Sequence, residues 1–332
     1  MTREVNFGLW YDFRNPQQAP FEKFYTSTLD QIAWAETLGF DSVWLTEHHF
    51  VEDGYTPSPL VIAAAIGQRT LKMRIGTNLM LLPLADPIRL AEDAATLSLL
   101  TGGRFDLGVG LGYRELEFEY FGRSLKNRPS LMEEGAAIIR QAWSGEPVSF
   151  QGKRFNVDNL PVRPVPENIP RLLMGGMVEP AIARAANIAD GFLSTGGIGH
   201  DIYRDQLANQ GKQGAIYAGN WSIVAEDPEA ELARIGDHVL YQTNQYISWG
   251  AFGPPDQVPL FETPAAAVEG GLYELMDGAA AVESLASLVN DNPEIVDVHF
   301  WAQFPGESIE SGSARMEYLA NQVLPEVRKR IK

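Results

Sequence analysis

The chain has 332 residues, and its 43 Asp and Glu outnumber 26 Lys and Arg to give a formal net charge of -17. That balance excludes the basic patches by which nucleic acid or an anionic membrane is bound, and zero cysteines exclude disulfides, thiolate metal sites and cysteine nucleophiles. With 45% hydrophobic and 21% charged residues it reads as a soluble globular protein with a sizeable core, suited to a small-molecule substrate. The polar opening MTREVNFGLWYDF does not read as a signal peptide. No apolar run reaches ~18 residues, so a cytoplasmic location is expected.

In chain order, strand-like and helical runs alternate. Residues 5–10 form a short apolar strand, and 24–38 carry apolar positions at helical spacing up to Gly39. A strand at 42–46 precedes a helix at 58–69. Residues 74–82 read as one strand ended by Pro83, then 88–100 as a helix stopped by Gly102-Gly103. A strand at 104–112 leads to a helix at 128–143. Residues 145–168 break the rhythm with Gly, Pro and short alternating pieces, which predicts a hairpin excursion. The alternation resumes with strands at 171–174, 191–194, 221–225 and 296–301. Helices are expected at 181–188, 203–210, 228–248 (capped near Asp227), 279–289 and 313–329. Residues 250–271 are rich in Pro and Gly and read as a long loop, a candidate lid.

Strands alternating with helices imply a parallel sheet. Eight such units predict a closed (β/α)8 TIM barrel, with an open doubly wound sheet as the rival. The chain reads as one barrel domain over 1–332, with insertions at about 145–168 and 250–271.

Two of the five histidines stand together in the run GFDSVWLTEHHF, residues 39–50. Titratable groups at the C-terminal end of a buried strand are where α/β proteins do chemistry. Neighbours on an extended chain point to opposite faces, so His48 and His49 do not chelate one metal as a pair, and no metal site is expected. His48 fits a general acid or base near neutral pH; His49 fits a structural role. Gly108, Gly110 and Gly112 alternate at the end of a strand. They lack the spacing of a dinucleotide fingerprint, and suit either a tight corner or the close approach of a flat ligand. Gly175-Gly176-Met177 precedes a helix, where backbone N–H groups bind anions. No G-x-S-x-G elbow or P-loop is present. Trp10, Tyr11, Phe50, Tyr113 and Trp301 lie at strand ends and suit either a wall for a planar ligand or a core.

These motifs resemble those of the bacterial luciferase-like flavin monooxygenases. The resemblance rests on residues 39–50, on Ile75-Gly76-Thr77 with Leu82-Pro83 and Asp86-Pro87-Ile88-Arg89, and on residues 100–112. It is looser over 170–192 and 296–324. It implies a (β/α)8 barrel that uses reduced FMN (FMNH2), supplied by a separate flavin reductase, and O2. A flavin C4a-hydroperoxide would then oxidise a small organic substrate. It implies catalytic roles for His48 and its partner Glu47. It places cofactor binding at Asn78, Leu79, Gly110, Gly112, Arg128, Gly175, Gly176 and Met177, with a non-prolyl cis peptide at Asn78-Leu79. Leu111 and Met177 depart from the family's phosphate contacts, which are an arginine and a serine. The alternatives on the same barrel are an F420-dependent dehydrogenase and a non-catalytic flavin-binding relative. A homodimer is expected.

Overall fold

The computed structural model describes residues 3–332. Eight parallel strands form the sheet: β1 Asn6–Tyr11, β2 Ser42–Leu45, β3 Arg74–Thr77, β4 Phe105–Gly110, β5 Leu172–Gly175, β6 Gly191–Thr195, β7 Ile216–Asn220 and β8 Ile295–Trp301. Each pairs with the next, and β8 pairs back with β1, so the sheet closes. This is the (β/α)8 barrel, and the open-sheet alternative is set aside. Closure leaves no sheet edge and forces burial on both faces, which is why β2 and β4 are buried at every position.

Alternation along the strands sorts two apolar clusters. Leu9 and Tyr11 face outward to the layer between strands and helices, with Val43, Leu45, Ile75, Leu107 and Val109. Trp10, Trp44, Leu173, Leu193, Tyr217 and Trp301 face the barrel interior and its mouth. The period of two is the physical cause. Gly108 sits where a Cβ would lie 1.9 Å from the Thr77 carbonyl oxygen, so only glycine lets β3 and β4 close there.

The outer layer includes α1 Phe21–Thr37, α2 Pro59–Gly67, α3 Pro87–Thr101, α4 Glu115–Tyr120, α5 Arg128–Trp143, α6 Glu179–Ile188, α7 His200–Ala208 and α8 Pro228–Trp249. Local chemistry sets their ends. Asp86 caps α3 by accepting from the Ile88 and Arg89 N–H groups, and Gly102 closes it at φ 65°. Asp227 caps α8 through the Ala230 N–H. In the C-terminal helix a π turn at Leu319–Val323 precedes Pro325, whose missing N–H breaks the regular ladder.

Four expectations need correction. The seventh barrel strand is Ile216–Asn220, not 221–225; Ser222–Val224 pairs instead with Glu274–Met276 outside the barrel. Gly219 and Asn220 hid it, since both disfavour strands. Yet a Cβ at 219 would lie 2.7 Å from the Trp10 ring, so the glycine is required there. Residues 74–82 are two strands, broken by a cis peptide at Asn78-Leu79, after which Met80–Leu81 pairs with β4. Stretch 250–271 is not wholly a loop: Pro264–Glu269 is helical, capped by Thr263 Oγ1 on the Ala266 N–H. Residues 200–208 start their helix at His200, earlier than the expected 203. The excursion near 145–168 is an antiparallel hairpin of Val148–Gln151 with Asn156–Leu160, pinned by Glu134 to the 153–155 backbone. Among the described residues no helix is long and apolar enough to cross a membrane.

Candidate active site

A cavity of about 430 Å³ opens at the C-terminal mouth of the barrel, where such folds carry their sites. Trp10, Glu47, His48, Asn78, Leu79, Gly112, Arg128, Gly175, Gly176, Met177 and Trp301 all line it. Strands β1, β2, β3, β4, β5 and β8 thus deliver the residues singled out in the sequence to one place. The exceptions are Gly110, which lies behind Leu79, Tyr11, which faces the outer layer, and Phe50, which is exposed to solvent. A Cβ on Gly110 would sit 2.4 Å from Leu79 Cδ1, and one on Gly175 would sit 2.6 Å from Leu79 Cδ2. The two glycines make the socket for Leu79 and leave its side chain as part of the cavity wall. Gly110→Ala is expected to drive Leu79 into the cavity and weaken ligand binding there about tenfold or more. Titration of FMN against both proteins checks this, and an unchanged affinity contradicts it.

His48 has a different partner from the expected one. Its Nδ1 lies 2.9 Å from Glu117 Oε1, and its Nε2 lies 2.9 Å from the Tyr113 hydroxyl. Glu47 instead engages His49 Nε2 at 3.1 Å and accepts from the Leu81 N–H. The physical reason is that β2 ends at Leu45. The chain then turns, so the Glu47 carboxylate reaches the short strand Met80–Leu81 rather than its neighbour. The two imidazoles diverge, each to its own carboxylate.

Glu117 was not identified from the sequence. It comes from α4, where Glu115, Glu117 and Glu119 follow one another. The alternation hides which one is buried. Glu117 has no solvent exposure, its Oε1 also accepts from the His49 N–H at 2.8 Å, and Oε2 has no partner among the described residues. A buried carboxylate accepts, so the His48 Nδ1 carries a proton and Nε2 accepts from the Tyr113 hydroxyl. Burial, with Tyr55 and Glu117 nearby, pushes Tyr113 well above the usual tyrosine range. It is therefore a neutral donor. Protonation of His48 at Nε2 reverses that bond and turns the Tyr113 proton toward the cavity. Glu117, His48 and Tyr113 form a proton chain ending at the ligand space.

Aromatic rings build the rest of the wall. Tyr55, Tyr113 and Trp249 lie 4.8, 5.3 and 5.1 Å from the His48 ring, and the Tyr55 and Tyr246 hydroxyls are 2.8 Å apart. Trp10 stacks on Trp301 at 4.6 Å. Gly250, Ala251, Phe252 and Gly253 close over the cavity just beyond α8. Behind the wall the buried Arg14 guanidinium pairs with Asp53 at 2.7 Å. It lies within 5.3 Å of the Tyr55, Tyr241 and Trp249 rings. This cation ties the β1 loop to α8 and fixes two of the rings around His48.

Asp12, beside Arg14, is pushed up to about 6 by burial. Its folded value lies above the ordinary 3.8, so the fold holds a proton that the unfolded chain has lost. This stabilisation is complete below about pH 4 and disappears as pH rises through 6. Asp12→Asn removes the titration. Relative to that variant, wild type is expected to lose on the order of 3 kcal/mol between pH 4 and pH 7. Denaturant melts of both proteins at the two pH values measure the difference, and a constant gap contradicts it.

A flavin-type group fits these residues. Arg128, at the start of α5, donates through Nη1 to Gly112 O at 2.9 Å and presents the rest of its guanidinium at the cavity. Across from it, Gly175 to Val178 lead into the N-terminal end of α6, where Pro180 lacks an N–H and Ala181 donates to Val178 O, so the backbone of 176–179 is the part that suits a phosphate. A Cβ on Gly176 would meet Ala181 Cβ at 2.5 Å, so the glycine allows strand and helix to approach.

A parallel barrel with an apolar cavity at its C-terminal mouth and a buried Glu–His–Tyr chain in the cavity wall places the protein among the TIM-barrel folds that carry a ligand site there. The sequence model of the luciferase-like monooxygenases matches residues 5–260, and the chain belongs to that family. The F420-dependent glucose-6-phosphate dehydrogenase of Amycolatopsis mediterranei is 34% identical over 190 residues, which span 54% of this chain and 56% of that enzyme. The chain thus matches little more than half of that relative's length. Monooxygenase RslO1 from Streptomyces bottropensis superposes with a TM-score of 0.83 at 21% identity, over 97% of this chain and 99% of its own. The oxygenating constituent of the Pseudomonas putida 3,6-diketocamphane monooxygenase, in complex with FMN, gives 0.78 at 16% identity over 97% and 98%. At such identities these two likenesses carry the fold.

Proposed function

We propose that this chain is an FMNH2- and O2-using monooxygenase acting on a small, largely uncharged organic substrate. The observation that carries the reading is the Glu117–His48–Tyr113 chain facing an apolar cavity with a phosphate-type end. Reduced FMN would supply electrons and the site of oxygen activation. Arg128 and the backbone of residues 175–178 would hold its phosphate, and Leu79 and Asn78, which line the same cavity, would contact its ring system. His48 would accept or return a proton through Tyr113, with Glu117 stabilising the imidazolium. The rings and residues 250–253 would exclude water from the reacting groups. A separate reductase would supply the reduced flavin. A cytoplasmic location is part of the proposal.

A second reading is an F420-dependent dehydrogenase, favoured by the 34% identity to enzymes of that name. Glucose 6-phosphate itself suits the cavity poorly. Among its described lining residues, Arg128 is the one guanidinium or ammonium group, and the cofactor phosphate would occupy it. Titrating the protein with FMN and with F420 separates the readings. Micromolar or tighter binding of FMN, with F420 weaker, supports the first; the reverse order supports the second.

A homodimer is also proposed. Val61, Leu71, Leu99 and Leu100 are more than half exposed on α2, the turn from α2 into β3, and α3. Light scattering of the eluted protein should give twice the chain mass of 36.6 kDa; a single chain mass contradicts it.

A further inference from the structure

The barrel interior holds a second imidazole that the proton chain does not use. His299, on β8, is fully buried. Its Nδ1 lies 2.9 Å from Asp297 Oδ1, and its Nε2 lies 2.9 Å from Asn78 Nδ2. Asp297 is buried too, and receives the Ser42 hydroxyl at 2.6 Å and the Trp44 indole N–H at 3.0 Å. A carboxylate only accepts, so His299 Nδ1 carries the proton. The neutral ring then has one acceptor, Nε2, and the Asn78 NH2 group must face it. The opposite amide orientation would require a second proton on His299.

The other atoms of Asn78 follow from this. Its main-chain oxygen accepts from the Trp10 indole N–H at 3.0 Å. Its Oδ1 receives no bond from the described residues, is not enclosed, and belongs to a residue that lines the cavity. A polar network inside a barrel is a poor route to stability compared with apolar packing. One that ends by orienting a cavity amide has a use.

We propose that His299, anchored by Asp297, is a positioning residue. It fixes the Asn78 carboxamide with Oδ1 toward the cavity, as the acceptor for a ring N–H of the bound flavin-type cofactor. The inference rests on the function proposed above.

Two variants separate positioning from plain stability. Asparagine places its amide where Nδ1 was, so His299→Asn keeps the bond to Asp297 and loses the one to Asn78. Glutamine reaches where Nε2 was, so His299→Gln keeps an acceptor for Asn78 and loses the bond to Asp297. FMN binding is read by quenching of flavin fluorescence, and stability by thermal unfolding. His299→Asn should raise the FMN dissociation constant about tenfold, the loss of one buried hydrogen bond. His299→Gln should stay within about threefold while melting at the lower temperature of the two. If affinity instead follows melting temperature, or both variants bind FMN like wild type, the inference is overturned. Wild-type protein that binds neither FMN nor F420 overturns the proposed function, and this inference with it.

Discussion

Turnover by the reduced-flavin complex is expected to fall about 10²–10⁴-fold when His48 is replaced by alanine, the range for loss of a general acid or base. The geometry makes the loss specific. Among the described residues His48 is the only link between a buried carboxylate and the Tyr113 hydroxyl, with both contacts at 2.9 Å. Tyr113→Phe should cost less, about tenfold, because the imidazole remains and a water can take the hydroxyl's place. Glu117→Gln keeps an acceptor for Nδ1 but removes the charge that stabilises the imidazolium, so its effect should fall between the two. FMN affinity should change little in all three, since the phosphate end of the cavity is untouched. Product formation and flavin titration, measured side by side, check the pattern. A His48→Ala enzyme with more than a tenth of wild-type turnover would remove His48 from the chemistry.

The largest stability loss is expected at the opposite end of the barrel. Asp106, on β4, is 1% exposed and is bound by two guanidinium groups. Arg74 donates through Nε and Nη2 at 3.0 and 2.8 Å, and Arg171 through the same atoms at 2.9 and 2.6 Å. One carboxylate therefore joins the starts of β3, β4 and β5. Asp106→Ala leaves two facing cations without their counter-charge, which costs about 3–5 kcal/mol for a buried pair. Both arginines keep part of their hydration, so the lower end applies. Asp106→Asn retains acceptor geometry at one position and should lose about half as much. Denaturant unfolding measures both, and a loss under 1 kcal/mol for the alanine variant contradicts the assignment.

The barrel was legible because its cause is repetitive: short apolar strands followed by helices, each bounded by glycine, proline or a cap. The seventh strand was missed because Gly219 and Asn220 oppose strand propensity, while tertiary packing against Trp10 demands the glycine. Many residues lining the cavity are readable from position, since strand ends meet at one mouth; Tyr55 and Tyr246 are not, because they come from a loop and from α8. Pairings across the mouth were not. Glu117 lies 69 residues from His48, on a short helix with three alternating glutamates. Nothing local distinguishes it from Glu115 or Glu119; only the fold selects it. Glu47 was the natural choice from adjacency, and the turn after Leu45 sends it elsewhere. The family resemblance implies that Gly110 touches the cofactor, whereas a Cβ at that position meets Leu79 first. Its effect on the site passes through that side chain.

The proposed function couples reduced FMN to oxygen in this cavity. The most direct measurement supplies FMNH2 to the protein with a panel of small uncharged organic compounds, in buffer with O2 and in buffer without it. An organic product carrying an atom from labelled O2, formed only when both FMNH2 and O2 are present, is the expected result. Turnover that continues without O2 when F420 replaces FMN, with no label incorporated, would contradict it.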